Sequence, residues 1–341
     1  MRVMQIGLGA IGQSICRLLS RGNGLMLPGA AVAGAADPRH AGRSLADLAG
    51  LDTDPGITVA GSIAELASEA DAAVLATASR MEDIVPQVLA LLERGWPVVS
   101  TCEELVYPWT THPELAGQID TAAQRQGVVV LATGVNPGFL MDFFPAVVAR
   151  LTSRVDRVTV MRVQDAGPRR AAFRRKIGAG LTLDQFAARQ GEAGCGHAGL
   201  AASAYLLAAG VGLTLDRVAE TLVPVTARSE QKTGDGVINA GQVAGVLQEC
   251  SGYAGGREVI HLTFRAVVGE PESYDLIRIE GPQPLTVRFE GGVPGDGATA
   301  AIIVNALPLL WALPPGLRTM ADLWPTRLDR NHAASPAGGG A

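Results

Sequence analysis

The sequence predicts an α/β chain: a doubly wound parallel sheet in the N-terminal part, followed by an α+β part whose sheet is mostly antiparallel. Three observations carry this. Over residues 1–135, short apolar strand-like runs alternate with amphipathic helix-like runs, the pattern of βαβ units. After Asn136 the strand-like runs are grouped, as in an antiparallel sheet with helices on one face. The chain has 341 residues, 48% hydrophobic and 18% charged, so it can fill two cores and is too apolar to stay unfolded.

In order, the strand patterns fall at residues 2–6, 31–36, 72–76, 97–100 and 128–133. Helical periodicity lies between them at 11–20, 63–68, 81–93 and 112–126. In the second part, 155–164 alternates as a strand, 182–189 and 199–209 read as helices, and strands follow at 259–268, 274–280 and 285–290. Residues 298–310 read as a helix that ends near the breaker Pro314-Pro315-Gly316. The expected organisation is a dinucleotide-binding domain over 1–138, an α+β substrate and dimerisation domain over 139–300, a segment over 301–331 that packs back on the first domain, and a disordered tail over 332–341. The apolar stretches 199–215 and 299–317 are too short or too rich in proline for a membrane span and read as buried helices.

Composition narrows the function. The net charge is −5, which argues against a nucleic-acid backbone as partner. Only two lysines occur, Lys176 and Lys232, so nearly all positive charge is arginine. Cys16, Cys102, Cys195 and Cys250 are widely spaced, and neither a disulfide framework nor a zinc spacing is legible. A strand pattern begins at Arg2 and leaves no room for a signal peptide, so a cytoplasmic location is expected.

The first strand runs into Gly7-Leu8-Gly9-Ala10-Ile11-Gly12 and then into a helix, which is GxGxxG in its meaningful context. Gly7 permits the turn, Gly9 lets the backbone approach a pyrophosphate, and Gly12 lets helix and strand pack closely; Ala10 and Ile11 open the helix whose N–H groups face the phosphates. This is a Rossmann signature, and Asp37 closes the second strand where a ribose-binding carboxylate is expected. Asp37 favours NAD, whereas Arg39, His40 and Arg43 would accommodate NADP, so both cofactors remain open.

Ligands of such sheets bind beyond the carboxyl ends of the strands. Three ends should converge on the nicotinamide: Thr77-Ala78-Ser79, Thr101-Cys102-Glu103-Glu104, and the segment from Gly134 through Asn136 to Phe139. Paired acids after an apolar strand are unusual, because burial there disfavours the charged form. One of Glu103 and Glu104 is expected to cap the next helix and one to do chemistry. His197, before an apolar helix, is a candidate for the pocket wall, and the basic run 169–176 for a loop over the site. No HExxH, histidine pair or thiol cluster suggests a metal, and GxSxG is absent.

Together these segments resemble the 2,4-diaminopentanoate dehydrogenase family, which includes the native amine dehydrogenases. The carriers are Ser100-Thr101-Cys102-Glu103-Glu104-Leu105-Val106-Tyr107-Pro108, the run Thr133-Gly134-Val135-Asn136-Pro137-Gly138-Phe139-Leu140-Met141-Asp142, Gly178-Ala179-Gly180-Leu181-Thr182, Gly196-His197-Ala198-Gly199, Gly241-Gln242-Val243-Ala244-Gly245, and residues 315–323. The resemblance implies a dihydrodipicolinate reductase-like two-domain plan, a homodimer, and reversible NAD(P)-dependent deamination of an amine to a carbonyl compound and ammonia. It implies a catalytic glutamate in the Glu103-Glu104 pair, with Glu103 favoured as first off the strand, and Asn136 at the nicotinamide. It further implies a pocket lined by Phe139, Met141, Phe143, Phe173 and His197, apolar enough for a simple aliphatic or cyclic amine. A diamino acid, the alternative, would need Arg162, Arg169 or Arg174 for its carboxylate; Gln164-Asp165-Ala166 departs from the Asn-Ser expected of diaminopentanoate enzymes. Sugar dehydrogenases with Glu-Lys-Pro at the strand end fit poorly, because no lysine precedes Lys176. A non-catalytic dinucleotide sensor is the more remote alternative, since it would have no need of the paired glutamates.

Overall fold

The structure, a computed structural model, describes residues 1–21, 29–66, 69–190 and 196–323. The first part runs β1 (Arg2–Ile6), α1 (Ala10–Ser20), β2 (Ala31–Ala36), α2 (Leu45–Ala49), β3 (Ala72–Leu75), α3 (Met81–Leu92), β4 (Val98–Ser100), α4 (Pro113–Gln126) and β5 (Val129–Ala132). The second runs α5 (Phe143–Val148), β6 (Arg157–Asp165), α6 (Ala171–Lys176), α7 (Leu183–Arg189), α8 (Leu200–Val211), β7 (Arg217–Thr226), β8 (Gln231–Thr233), β9 (Gly236–Ile238), β10 (Val243–Ala254), β11 (Arg257–Val267), β12 (Tyr274–Glu280) and β13 (Leu285–Glu290). The chain then returns to the first part through α9 (Gly295–Ala306) and β14 (Gly316–Arg318).

The first sheet has the order β14-β5-β4-β3-β1-β2, with every pair parallel. Inner strands β3 (AAVL) and β5 (VVLA) are short apolar runs buried along their whole length. That is the expected composition when helices cover both faces. The order changes direction at β1, beside which β3 and β2 lie on opposite sides, and the carboxyl ends meet the ligand cavity there. Helix α9 carries Ala300, Ile303 and Val304 into this first core, so the boundary drawn at residue 300 falls inside a helix that belongs with the first sheet.

The second sheet has the order β13-β12-β6-β11-β10-β7 and is antiparallel except for β6 against β11. Strand β13 alternates between half-buried and exposed residues, as an edge strand with one wet face should. Helix α8 is apolar all round because two cores claim it. Leu206 packs into the first core, and Leu200, Ala204, Leu207 and Val211 into the second. Among the described residues no helix is long and apolar enough to cross a membrane.

Several local expectations change. The periodic run 63–68 is only a short turn of 3-10 helix, Ile63–Glu65, in its described part. The basic run is not a loop: residues 171–176 form α6, anchored by Arg174, whose Nε donates to Asp235 at 2.8 Å and whose Nη1 donates to the Gly167 carbonyl at 2.9 Å. Strands β7 and β10 were not expected, because glycine and charged residues break their apolar pattern. The tail over 332–341 and Cys195 lie outside the described residues.

Candidate active site

The strand ends of the first sheet and the inner edge of the second part enclose a cavity of about 390 Å³. On one side the wall is Gly9 to Gly12, Thr77 to Ser79, Thr101, Glu103, and Gly134 to Pro137. On the other it is Arg162, Gln164, Arg169, Phe173, Lys176, His197 and Phe264, with Asp296 and Thr299 from α9. All three expected strand-end segments contribute to the first of these walls, but Cys102, Glu104 and Phe139 do not line it.

The glycine loop is dictated by contact. A Cβ at Gly12 would lie 2.0 Å from the Gly7 carbonyl oxygen, and one at Gly7, where φ is +86°, would lie 2.4 Å from the Ala76 oxygen. At Gly9, by contrast, a Cβ would meet nothing within 4 Å. Gly9 is the N-cap of α1 and no side chain caps that helix. The loop thus presents open backbone at a positive helix end, a cradle that fits a pyrophosphate. Asp37, Arg39 and His40 follow directly on β2 and lie outside the cavity wall, and of the three only Asp37 reaches the glycine loop through a hydrogen bond. Asp37 accepts from the Leu8 N–H at 2.8 Å and from Arg39 Nη2 at 2.8 Å, and the Arg39 guanidinium holds its carboxyl well below the usual range.

The two glutamates part company. Glu103 faces the cavity, where Lys176 Nζ lies 3.3 Å from Oε1 and 3.2 Å from Oε2. Glu104 turns away: its Oε2 accepts from the Met81 N–H at 2.8 Å, at the first residue of α3, and lies 3.7 Å from His112 Nε2. A carboxylate at a helix N-terminus is a capping group, so the expectation that left Glu104 open as the catalytic acid is corrected. Cys102 is corrected too. It is fully buried in the first core rather than in the cavity wall, and burial pushes its thiol up to about 12.

Asn136 stands in the wall with its Oδ1 accepting from Ser203 Oγ at 3.3 Å, while its buried Nδ2 has no partner in the protein. The single Ser203 hydroxyl proton is shared with Asp142, whose Oδ2 is the nearer acceptor at 2.7 Å, and Asp142 accepts from the Gly138 and Phe143 N–H groups at 2.8 and 2.7 Å. This carboxyl is fully buried, and desolvation raises it to about 6 despite those donors. It is the anchor of the Asn136 loop.

Three expected pocket residues are elsewhere. Met141 is buried in the second core, and Phe139 and Phe143 pack against the first, their ring centroids 5.6 Å apart. They follow the turn that leaves the cavity, so the chain carries them behind the wall instead of into it. Phe173 and His197 do line the cavity. His197 stacks on Phe264 at 4.7 Å, and its backbone N–H and carbonyl are both bound by the Gln248 amide at 2.8 Å. Its Nε2 is buried without a partner, and burial beside Lys176 and Arg162 keeps the ring neutral.

Arg162 is 2% exposed. Its Nη2 donates to the Val293 carbonyl at 2.7 Å, and its Nη1 forms an ion pair with Asp275 at 3.4 Å whose geometry makes no hydrogen bond. Arg169 donates to Gln164 at 3.0 Å and to Asp296 at 3.1 Å, with its guanidinium 4.2 Å from the Phe173 ring. Arg174 is committed to Asp235 and does not line this cavity. The wall opposite the glycine loop is therefore cationic and polar, not the apolar surface expected for a simple amine. Sequence reasoning missed Lys176 as a site residue; the available signal was the scarcity of lysine in a chain that otherwise uses arginine.

The chain is similar to known dehydrogenases in sequence and in fold. Residues 139–332, more than half of the chain, match the family model of the 2,4-diaminopentanoate dehydrogenase C-terminal domain. A curated 2,4-diaminopentanoate dehydrogenase from Acetoanaerobium sticklandii is 29% identical over 333 residues, covering 94% of this chain and 93% of that protein. The solved amine dehydrogenase from Mycobacterium smegmatis superposes with a TM-score of 0.82 at 25% identity, over 96% of this chain and 97% of that one. An oxidoreductase from Agrobacterium radiobacter, solved with NAD+, L-tartaric acid and magnesium, shares the fold at a TM-score of 0.54 and 12% identity, over 94% and 92% of the two chains.

Proposed function

The chain belongs to the 2,4-diaminopentanoate dehydrogenase family, and on that premise we propose that it is an NAD(P)-dependent amine dehydrogenase, interconverting an amine with a ketone or aldehyde and ammonia. The observation that carries this reading is Glu103, a carboxylate in the cavity wall on the loop after β4, beside the β5 loop that bears the unpartnered Nδ2 of Asn136.

Gly9 to Gly12 would hold the pyrophosphate, Thr77 to Ser79 would border the nicotinamide half, and Asn136 Nδ2 would donate to the carboxamide. The bound dinucleotide supplies the hydride donor or acceptor. Glu103 holds the ammonium or iminium by charge and hydrogen bond, and takes up the proton that the nitrogen gives away. Asp37 disfavours a 2′-phosphate, but the exposed guanidinium of Arg39 beside it offers that phosphate a partner, so use of both NAD and NADP is the consistent reading.

One observation favours a substrate that carries an anionic group, as a diamino acid does. Arg162 is buried in the wall, its Nη1 ion-paired with Asp275 but without a hydrogen bond, and Arg169 and His197 Nε2 stand near it in the same wall. Burying a guanidinium is costly, and a ligand carboxylate would complete its bonding. A simple alkyl amine would leave it incomplete.

The same reading makes the protein a cytoplasmic homodimer. The face of the second sheet turned away from α8 leaves Thr159, Met161, Leu247 and Arg265 only half-buried, a surface that a second copy would cover. A monomeric mass by light scattering would refute the dimer.

The test of function is NADH and NADPH oxidation with 2-pentanone, pentanal and 4-oxopentanoate, each with and without ammonium, together with oxidation of 2,4-diaminopentanoate. Ammonium-dependent oxidation fastest with 4-oxopentanoate is expected. Oxidation of the reduced cofactor without ammonium would make the protein a carbonyl reductase instead.

A further inference from the structure

Lys176 is tied to Glu103 across the cavity. Its Nζ lies within 3.3 Å of both carboxylate oxygens, the two side chains come from opposite walls, and both line the space where substrate would sit. The position is fixed from behind. Lys176 ends α6, Arg174 clamps that helix to Asp235, and the Lys176 carbonyl accepts from the Gly196 N–H at 3.0 Å, next to His197.

The choice of residue is informative. A carboxylate partner is served best by arginine, which binds it bidentately, and this chain uses arginine nearly everywhere. Lysine differs in that it can release a proton; arginine in a protein does not. The other groups of the wall cannot replace it. His197 is held neutral, Asp296 is paired with Arg169 and Arg170, and Arg162 is a guanidinium. Yet amination of a carbonyl requires two proton movements: one off the ammonium, and one onto the hydroxyl that departs as water.

We propose that Glu103 and Lys176 form a proton relay, in which the proton Glu103 takes from ammonium is passed through Lys176 to the departing hydroxyl; this rests on the amine dehydrogenase reading above. The steps balance. Glu103 deprotonates ammonium, and the ammonia formed attacks the carbonyl carbon. A nitrogen proton moves to the former carbonyl oxygen, giving the neutral carbinolamine. Lys176 protonates its hydroxyl, the C–O bond breaks as the nitrogen lone pair forms the C=N bond, and water leaves. The protonated Glu103 then returns a proton to the neutral Lys176 across their direct contact. Ammonium plus carbonyl becomes iminium plus water, and both side chains end as they began.

The relay operates before any hydride moves, so it can be read without reduction. With NAD+ or NADP+ bound, the enzyme would be given whichever carbonyl compound of the panel above is aminated, labelled with oxygen-18, in ammonium buffer, and loss of label followed by mass spectrometry. Wild type should accelerate the loss over buffer alone. Lys176→Met and Lys176→Arg should each lower that acceleration at least about 100-fold, the scale of general acid catalysis, while binding cofactor like wild type in a fluorescence titration. Wild-type exchange in Lys176→Arg would show that charge alone suffices, and wild-type exchange in Lys176→Met would show that the residue is dispensable; either overturns the relay. So would a wild-type enzyme that reduces with ammonium yet never speeds the exchange. If wild type shows no ammonium-dependent cofactor oxidation at all, the parent reading falls first, and the relay with it.

Discussion

The two walls of the cavity are made of different material. The wall from the first sheet is largely backbone and small side chains: Gly9, Gly12, Ala76 to Ser79, and Gly134 to Pro137. The facing wall is made of long charged and aromatic side chains from separate elements: Arg162 on β6, Phe173 and Lys176 on α6, His197 before α8, and Phe264 on β11. One wall works by what it leaves out, since a methyl at Gly12 would overlap the Gly7 carbonyl. The other works by charge held out of water. Backbone recognition suits a cofactor that the whole fold class shares, and side-chain recognition suits a substrate that varies from one family member to the next.

Glu103 belongs to the first wall by sequence and to the second by its partner, so it is the sharpest place to break the comparison. Glu103→Gln keeps the shape and loses the proton acceptor. Turnover should fall about 10²–10⁴-fold while dinucleotide affinity stays within about twofold, because the glycine wall is untouched. Initial rates and a cofactor fluorescence titration would check this. A parallel fall in affinity would mean that the walls are not separable.

Arg162→Met tests the charged wall. Asp275 would remain buried without its cation, and breaking a buried pair costs about 3–5 kcal/mol. Urea unfolding should show that loss, and Asp275→Asn in the same chain should recover part of it. The double variant should also lose its preference for 4-oxopentanoate over 2-pentanone. If that preference persists, Arg162 is structural only.

The same contrast decides what could be read from the sequence. The glycine wall is legible because its demands are local: six consecutive residues, a strand before and a helix after. The loops with Thr77, Glu103 and Asn136 were legible because each follows a strand in a fold whose ligand side is known. The charged wall was not, because Phe264 and Arg162 become neighbours only through the parallel register of β11 against β6, over a hundred residues apart. Phe139, Met141 and Phe143 were misread for the converse reason. They adjoin the Asn136 loop in sequence, but the turn carries their side chains into the cores. Nothing in the spacing of Glu103 and Glu104 told which would face the cavity; Met81, at the start of another helix, decides that.

Asp142 stabilises the small-residue wall from behind, and its titration gives an effect of opposite sign to an ordinary surface acid. Burial raises it to about 6, so between about pH 4 and 6 the folded chain binds a proton that the unfolded chain has lost. This contribution to stability is complete below the unfolded value and lost as pH rises through 6, about 3 kcal/mol in all. Asp142→Asn cannot ionise. It should be less stable than wild type at pH 4, since the amide nitrogen cannot accept the backbone N–H that an oxygen of the protonated carboxyl still accepts, and the gap should narrow towards pH 7. A gap that is constant with pH in urea midpoints would show that the carboxyl is not titrating in the fold.

The smallest effect is expected one residue from the largest. Glu104→Gln removes a charge from the N-terminus of α3 but leaves an oxygen for the Met81 N–H. The dipole interaction of a partly exposed carboxylate there is worth about 0.3–1 kcal/mol, so the melting temperature should drop by only a few degrees. Turnover should stay near wild type, because Glu104 does not reach the cavity. The pair therefore separates two uses of one residue type. Position 103 should show a large kinetic effect with little loss of stability, and position 104 a small loss of stability with unchanged kinetics. If Glu104→Gln instead cost turnover as heavily as Glu103→Gln, the two carboxylates would have to act together, and the division between a cavity-facing acid and a helix cap would fail.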